Sequence, residues 1–479
     1  MAKLLTLLVV CELLLRIGLA AHVLLRRVKR PAVTAAWVLL LLFLPVASVV
    51  AYLLLGETWF GRTRTRRHRQ ALALLDLPEH HGHNDPKAGV VSLDESDKQL
   101  ARLAEKVSHA TPTGGNHLTL TGDSAAAIAQ MCTDIIAAKH SVHLLTYIYL
   151  DDQAGRRVAE ALQVARQGGV ACRVLCDAVG SAAFLKSRLA ARLRKSGIQL
   201  HAALPVDLLR RALSRIDLRN HRKILVIDGE VAHVGSMNIA SESFAPAPRY
   251  APWVDCTVRA CGPLAREVQL VFLEDWYFET GEDLRDLLQH YPPVRTGGVA
   301  AQFVASGPNF ENAAMTQLVQ ACLHVARHRV IITTPYFVPD IETVMAMCVA
   351  ARRGVEVSLV VPRRNNSKLV AVASRGSYDV LLDCGVRIFE YTKGLLHAKT
   401  LSVDDRLSLV TSANLDRRSF ELNFEASMLV YDDKFTEELH RLQMSYMTDC
   451  IEVEPKAWRT RPVGRRLLEG AASLLSPLL

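Results

Sequence analysis

Between Ser141 and Asp177 the chain runs through an apolar stretch, an amphipathic stretch and a second apolar stretch (SVHLLTYIYLDDQAGRRVAEALQVARQGGVACRVLCD). That order predicts a strand, a helix and a strand. Residues 329–362 repeat it (RVIITTPYFVPDIETVMAMCVAARRGVEVSLVVP). Each copy continues into a helical stretch closed by Gly197-Ile198 or Gly385-Val386, 188 residues apart. Two α/β halves of one plan follow, 116–290 and 291–455, with 456–479 as a tail. They predict a pseudo-two-fold molecule with one shared site where the halves meet.

The N-terminus follows another pattern. Residues 4–25 are mostly apolar but carry Glu12 and Arg16, whereas 33–55 hold no charge. The second stretch is long enough to cross ~30 Å of hydrocarbon. A transmembrane helical hairpin is expected over 1–60, with 33–55 the surer span. Arginines and a lysine lie between the stretches (Arg26, Arg27, Lys29, Arg30), and more arginines follow (Arg62, Arg64, Arg66, Arg67, Arg69). Charge alone leaves the orientation conflicted. The larger downstream cluster and the reduced cysteines favour a cytoplasmic catalytic domain. Residues 61–115 read as a basic linker with one helical pattern near 94–107, so the folded part is expected to start near Asn116.

Composition narrows the partners. A formal charge of +9 suits an anionic partner, either a lipid surface or nucleic acid. Ten cysteines without a C-x-x-C pair, mostly inside apolar stretches, read as buried thiols in a reducing compartment. His80, His81 and His83 lack a carboxylate or thiol to complete a metal set and read as solvated linker. Arg210, Arg211, Arg215, Arg219 and Arg222 read equally as headgroup contacts or as a solvated helix face. Residues 463–479 read equally as an amphipathic surface helix or as a packed tail.

The chemistry lies in a duplicated motif. His221-Arg-Lys223-Ile-Leu-Val-Ile-Asp228 is followed by Gly235-Ser236-Met-Asn238; His397-Ala-Lys399-Thr-Leu-Ser-Val-Asp404 is followed by Thr411-Ser412-Ala-Asn414. Every position is offset by 176. A two-residue turn at Gly229-Glu230 would fold the first copy into a hairpin pairing His221 with Asn238 and Lys223 with Ser236. The second copy would pair His397 with Asn414 and Lys399 with Ser412. His, Lys, Ser and Asn then share one face. Asp228 and Asp404, seven residues from their histidines, fall on the other face in a supporting role.

Such a cluster suits a phosphodiester. Lysine, serine and asparagine can hold the non-bridging oxygens. One neutral imidazole can attack phosphorus, and the other, protonated, can supply the leaving alcohol with its proton. Two lysines supply positive charge, so the chemistry calls for no metal or other cofactor.

These residues resemble the paired HKD motifs of the phospholipase D superfamily, over residues 116–455. The flanks are similar to those of bacterial cardiolipin synthases. They comprise Arg30-Pro31 to Trp37, Pro45, Tyr52–Glu57, Thr334-Pro-Tyr-Phe-Val-Pro339 and the tail from Arg461-Pro462 to Leu479. The resemblance implies two α/β halves sharing one active site. It also implies transfer of a phosphatidyl group between two phosphatidylglycerol molecules through phosphohistidine, releasing glycerol and needing no nucleotide. By superfamily analogy His221 is the nucleophile and His397 the acid/base. Acidic residues downstream of each motif, Glu425 and, more loosely, Asp255, are implied to orient histidines.

Three function classes remain in view: phosphatidyl transfer to a lipid alcohol, hydrolysis as a phospholipase or nuclease, and a non-catalytic membrane scaffold. The membrane segment and the lack of an aromatic-basic platform argue against nucleic acid as substrate. Completeness of both motifs argues against the scaffold.

Overall fold

The computed structural model describes residues 2–25, 31–44, 46–55, 66, 70, 91, 93–109, 111–205, 217–243, 248–290, 292–294, 298–308 and 313–473. The chain divides into two compact units, Met1–Arg66 with Val206–Leu218, and Arg67–Pro205 with Arg219–Leu479. Most of the basic residues flanking the apolar stretches, the histidines at 80–83, Arg210, Arg211 and Arg215, and residues 474–479 lie outside the described residues.

In the first unit, α1 (Ala2–Leu25) is one 24-residue helix. Its stretch Thr6–Leu25 is long and apolar enough to cross a membrane. Glu12 and Arg16, one turn apart, pair at 2.9 Å. Arg16 also donates to the Leu42 carbonyl at 3.1 Å, and Glu12 accepts from the Val46 amide at 3.2 Å. The charges that cast doubt on 4–25 are thus paired with each other and with backbone, which lowers the cost of placing them among apolar residues. The stretch 33–55, expected as one span, is instead two helices, α2 (Pro31–Phe43) and α3 (Ala47–Leu55). The break falls between Phe43 and Ala47, a stretch whose sequence includes a proline, the residue type without the N–H that continues a helix. Ala20 and Val23 of α1 pack with Leu41 of α2 and Tyr52 of α3.

The second unit carries a mixed sheet. Its first half supplies β1 (Thr113–Thr121), β2 (Ser141–Thr146), β3 (Ala171–Asp177), β4 (Gln199–Ala203), β5 (Arg219–Asn220), β6 (Ile224–Ile227), β7 (Val231–Gly235), β8 (Trp253–Val254) and β9 (Thr257–Cys261). The second half supplies β10 (Val299–Ser306), β11 (Arg329–Thr333), β12 (Phe337–Val338), β13 (Glu356–Pro362), β14 (Arg387–Tyr391) and β15 (Leu395–Leu396). It continues with β16 (Thr400–Val403), β17 (Leu407–Thr411), β18 (Leu415–Asp416), β19 (Asn423–Tyr431) and β20 (Cys450–Glu452). The halves join at the antiparallel pair β1–β10. Outward from that junction one side runs β1, β9, β7, β6, β2, β3, β4. The other runs β10, β19, β17, β16, β11, β13, β14, with β20 beyond it. Strand for strand, the two orders correspond.

Each half contains the βαβ unit read from its apolar pattern. β2 and β3 are parallel across helix Gln153–Gln167, and β11 and β13 across helix Ile341–Arg352. Asp152 and Asp340 cap these helices, accepting from the amides of Gly155 and Thr343. Each cap satisfies an orphan N–H, an effect of about 1 kcal/mol. The sheet faces are covered by separate apolar clusters, Val158 and Leu162 in the first half and Val344 and Met347 in the second. A further cluster joins strands of both halves around Phe272 and Trp276 of helix Pro263–Thr280.

The folded body begins earlier than Asn116. Helix Glu95–Ser108 places Leu100 and Ala104 against Val304 and Met315, and Gln302 donates to the Ala101 carbonyl. Its polar face kept this amphipathic helix looking like linker. All ten cysteines are unbridged thiols, eight of them buried.

Candidate active site

β6 and β7 form the first motif hairpin, and β16 and β17 the second. The register is one residue from the expected one. Ile224 faces Val234, and Thr400 faces Val410. The loops therefore hold three residues, Asp228-Gly229-Glu230 and Asp404-Asp405-Arg406, rather than two. The cause is the motif aspartate, which takes a left-handed backbone (φ 53° at Asp228, 50° at Asp404) inside the turn. There the Asp228 carboxylate accepts the amides of Lys139, His140 and Ser141 at 2.7–2.8 Å. Asp404 accepts those of Arg327, His328 and Arg329. Both aspartates lie at the far end of the hairpin from their histidines and tie it to the start of β2 or β11.

Beyond Gly235 and Thr411 the return strands leave the regular ladder. Ser236 and Ser412 instead bond the strand beside them, pairing with the backbone of Cys256 and Ala426 respectively. Their hydroxyls donate to the carboxylates one residue earlier, Ser236 to Asp255 at 2.6 Å and Ser412 to Glu425. Asp255 and Glu425 are therefore equivalent positions of the two halves.

The histidines cross between halves. The short approach strand β5 pairs in parallel with β19 of the second half, and β15 pairs in parallel with β8 of the first. The His221 amide donates to the Phe424 carbonyl at 2.9 Å, and the His397 amide to the Val254 carbonyl at 2.7 Å. Each imidazole is thereby set against the other half's carboxylate. His221 Nδ1 lies 2.9 and 3.0 Å from the Glu425 oxygens, and His397 Nδ1 lies 2.7 Å from Asp255 Oδ1. A carboxylate only accepts, so each Nδ1 carries the proton and each Nε2 keeps its lone pair.

The lysine ammonium groups fold back onto their own motifs. Lys223 Nζ and Lys399 Nζ each donate at 2.6 Å to the carbonyl two residues earlier, of His221 and of His397. Asn238 Oδ1 accepts from the Ile148 amide at 3.1 Å. Asn414 Oδ1 is buried and has no donor. The structure thus gathers His221, Lys223, Ser236, Asp255, His397, Lys399, Ser412 and Glu425 through direct bonds, with Asn238 and Asn414 next along each chain.

Burial governs the charges. It pushes both imidazoles down to about 4, against the upward pull of Glu425 on His221 and of Asp255 on His397. Burial also lowers Lys223 to about 8 and Lys399 to about 7. The carboxylates are lowered as well, in their case against the effect of burial, because histidine and lysine surround them. Glu425 falls to about 2, and Asp255 lies well below the usual carboxylate range. Lys399 bears on His221 and Lys223 on His397, so the two clusters act as one electrostatic site. At neutral pH the site holds two neutral imidazoles beside a largely cationic Lys223 and a Lys399 near its midpoint, a setting that favours an anion.

The halves differ at four equivalent places. Arg222 faces Ala398 in the repeat. Its buried guanidinium donates to Asp275, to the Ser306 carbonyl and to the Glu425 carbonyl. Gly235 corresponds to Thr411. A Cβ at Gly235 would run into the Cys256 carbonyl, whereas the Thr411 hydroxyl bonds Ser427 at 2.7 Å. Tyr147 lies edge-on to His221, ring centres 4.8 Å apart, and its counterpart is Pro335. Trp253 lies 4.6 Å from His397, and its counterpart is Asn423, whose amide donates to Glu425. Tyr147 and Trp253 carried no motif signal in the sequence.

Two α/β halves joined edge to edge, with a histidine, a lysine and a serine from each converging on crossed carboxylates, define a phospholipase-D-like protein. The family model described as "Cardiolipin synthase, PLD-like domain" matches residues 131–254 and 319–444. A second, "Phospholipase_D-nuclease N-terminal", matches residues 14–57. The chain is 37% identical over 480 residues to cardiolipin synthase A of Erwinia tasmaniensis, covering 97% of this chain and 96% of that one. It is 36% identical to cardiolipin synthase A of Salmonella arizonae, covering 96% of each. Among solved structures, phosphatidylserine synthase of Haemophilus influenzae shares the fold with a TM-score of 0.59. That match has 15% identity and covers 80% of this chain and all of that one. The chain belongs to the cardiolipin synthase family, membrane-associated phosphatidyltransferases acting on phospholipid.

Proposed function

We propose that the protein transfers the phosphatidyl group of one phosphatidylglycerol to the terminal hydroxyl of a second, giving cardiolipin and glycerol through a phosphatidyl-histidine. The observation that carries this reading is the crossed pairing of each Nδ1 with a carboxylate, which leaves two imidazoles ready to act at Nε2.

His221 Nε2 attacks the donor phosphorus, and a P–N bond forms as the P–O bond to glycerol breaks. His397, protonated as the anionic phosphodiester binds beside it, gives that proton to the departing alkoxide. Glycerol leaves, and the hydroxyl of the second phosphatidylglycerol enters. His397 takes its proton as the oxygen attacks phosphorus, and the P–N bond breaks. One phosphodiester replaces another, so no outside energy source is required. Lys223 and Lys399 hold the non-bridging oxygens, with Asn238 and Asn414 beside them. Glu425 and Asp255 hold the imidazoles and stabilise their charged forms. Nucleic acid has no part in this reading. The chain is read as a multi-pass protein of the bacterial inner membrane, with its catalytic unit on the cytoplasmic side.

The test is incubation of purified protein with phosphatidylglycerol alone. Cardiolipin and glycerol in equal amounts are expected. Phosphatidic acid and glycerol would show water as the acceptor and make the protein a phospholipase. An absence of turnover would leave neither activity standing.

A further inference from the structure

The C-terminal helix Val463–Ser473 is built with its polarity reversed. Its inward face carries Glu469, buried, which pairs with Arg461 at 2.8 Å. Arg461 in turn grips Asp379 with two nitrogens and lies over the Trp458 ring. Ala472, on the same face, packs with Val338 and Ala373. The ion pairs therefore face the protein. The outward face bears Val463, Leu467 and Leu468, exposed by 67, 70 and 59%. At 100° per residue these share one side with Gly464, Gly470 and Ala471, so that side holds no charge. A helix docked on a soluble body normally does the opposite, burying leucine and exposing charge.

Two features identify what covers this face. Residues 455–473 carry Lys456, Arg459, Arg461, Arg465 and Arg466 against Glu469 alone, five cations to one anion, and Arg465 and Arg466 are exposed. The following residues, Leu474, Leu475, Ser476, Pro477, Leu478 and Leu479, continue without charge. Apolar side chains flanked by exposed arginines complement an anionic lipid surface, with acyl chains for the leucines and headgroup phosphates for the guanidinium groups. The helix is also tied to the catalytic site. Val338, in the same apolar cluster as Ala472, lies in β12 and pairs with Asp416 of β18, two residues beyond Asn414. We propose that helix Val463–Ser473 is a membrane-contact element that lays its Val463–Leu467–Leu468 face into an anionic phospholipid bilayer, holding the second motif near the lipid surface.

The full chain, reconstituted in vesicles of phosphatidylethanolamine and phosphatidylglycerol, tests this with the photo-crosslinker benzoylphenylalanine in place of Leu467. Phospholipid adducts at 467 are expected, fewer in vesicles of phosphatidylcholine alone. A chain-to-chain adduct would make the face a contact between copies, and no adduct would leave it in water; either overturns the proposal. A second arm is the double variant Leu467→Gln and Leu468→Gln. These side chains are solvent-facing, so the fold tolerates the change. Turnover on vesicles is expected to fall about tenfold, with turnover of a short-chain, dispersed substrate unchanged. Equal loss on both would point to a folding role and overturn it. The adduct does not depend on which lipid reacts, so failure of phosphatidylglycerol as substrate would be told apart from failure of the contact.

Discussion

His397 of the second half directs its Nδ1–H at Asp255 of the first, 2.7 Å away, while His221 of the first half directs its own at Glu425 of the second. Neither half therefore contains a complete histidine–carboxylate pair. This explains why the halves are fused edge to edge rather than tethered, since a small displacement between them would break both pairs at once.

The crossed pairs predict separable defects. In the proposed reaction, replacing His397 with Asn removes the proton for the leaving glycerol, whereas replacing His221 with Asn removes the nucleophile. A donor with a nitrophenol leaving group needs no such proton. With it, His397→Asn should release one equivalent of nitrophenol in a burst and stall as the phosphohistidine, because no base activates the acceptor. His221→Asn should show no burst. Asp255→Asn should resemble the His397 variant, slowed by about 10² on the natural donor. A burst from His221→Asn with none from His397→Asn would reverse the two roles.

The lysines predict an alkaline limb. In the proposed reaction their charged forms bind phosphate, and burial has lowered both. That charge is present below and lost as pH rises through about 7 at Lys399 and about 8 at Lys223. Thus kcat/KM, which reports the free enzyme, should fall across this window. A bound phosphodiester favours the ammonium, so the limb in kcat should lie at higher pH. Rate profiles measured at low and saturating lipid compare the two. Coincident limbs would remove the lysines from phosphate binding.

The motif spacing nominated four residues of each hairpin as a candidate site, and the βαβ units were plain from apolar runs. Two things were hidden for physical reasons. The hairpin register depends on a left-handed aspartate in the turn, and nothing in the residue pattern separates a two-residue loop from a three-residue one. The crossing depends on strands of two residues, β5, β8 and β15, too short to leave a periodic signal. Glu425 and Asp255 could be nominated by position, but the strand pairing alone assigns each to the opposite histidine.

Asp228 and Asp404 separate stability from catalysis. Each accepts three backbone amides and bonds neither His221 nor His397. Asp228→Ala leaves those donors unpaired and places alanine at a positive φ, a cost of about 2–4 kcal/mol. Thermal unfolding should occur several degrees lower, while the protein still folded at low temperature should turn over near the wild-type rate. A hundredfold loss of kcat with unchanged melting would return the aspartate to the chemistry.

Arg222 supplies the last prediction. Its guanidinium is sealed beneath the site, held by Asp275 at 2.8 Å and bonded to the carbonyl of Glu425, the residue that orients His221. Ala398 occupies the same place in the other half, so His397 has no such brace. Arg222→Met leaves the buried Asp275 carboxylate without its guanidinium, bonded still to the Asn220 side-chain amide at 3.1 Å, a cost of about 3–5 kcal/mol. The pair Arg222→Met with Asp275→Leu removes both charges and should recover much of that stability. It should not recover the brace on Glu425. The double variant is therefore expected to melt near the wild type yet form phosphohistidine more slowly, with the burst at His221 affected and the later step at His397 spared. Full recovery of the burst in the double variant would make Arg222 a packing residue only.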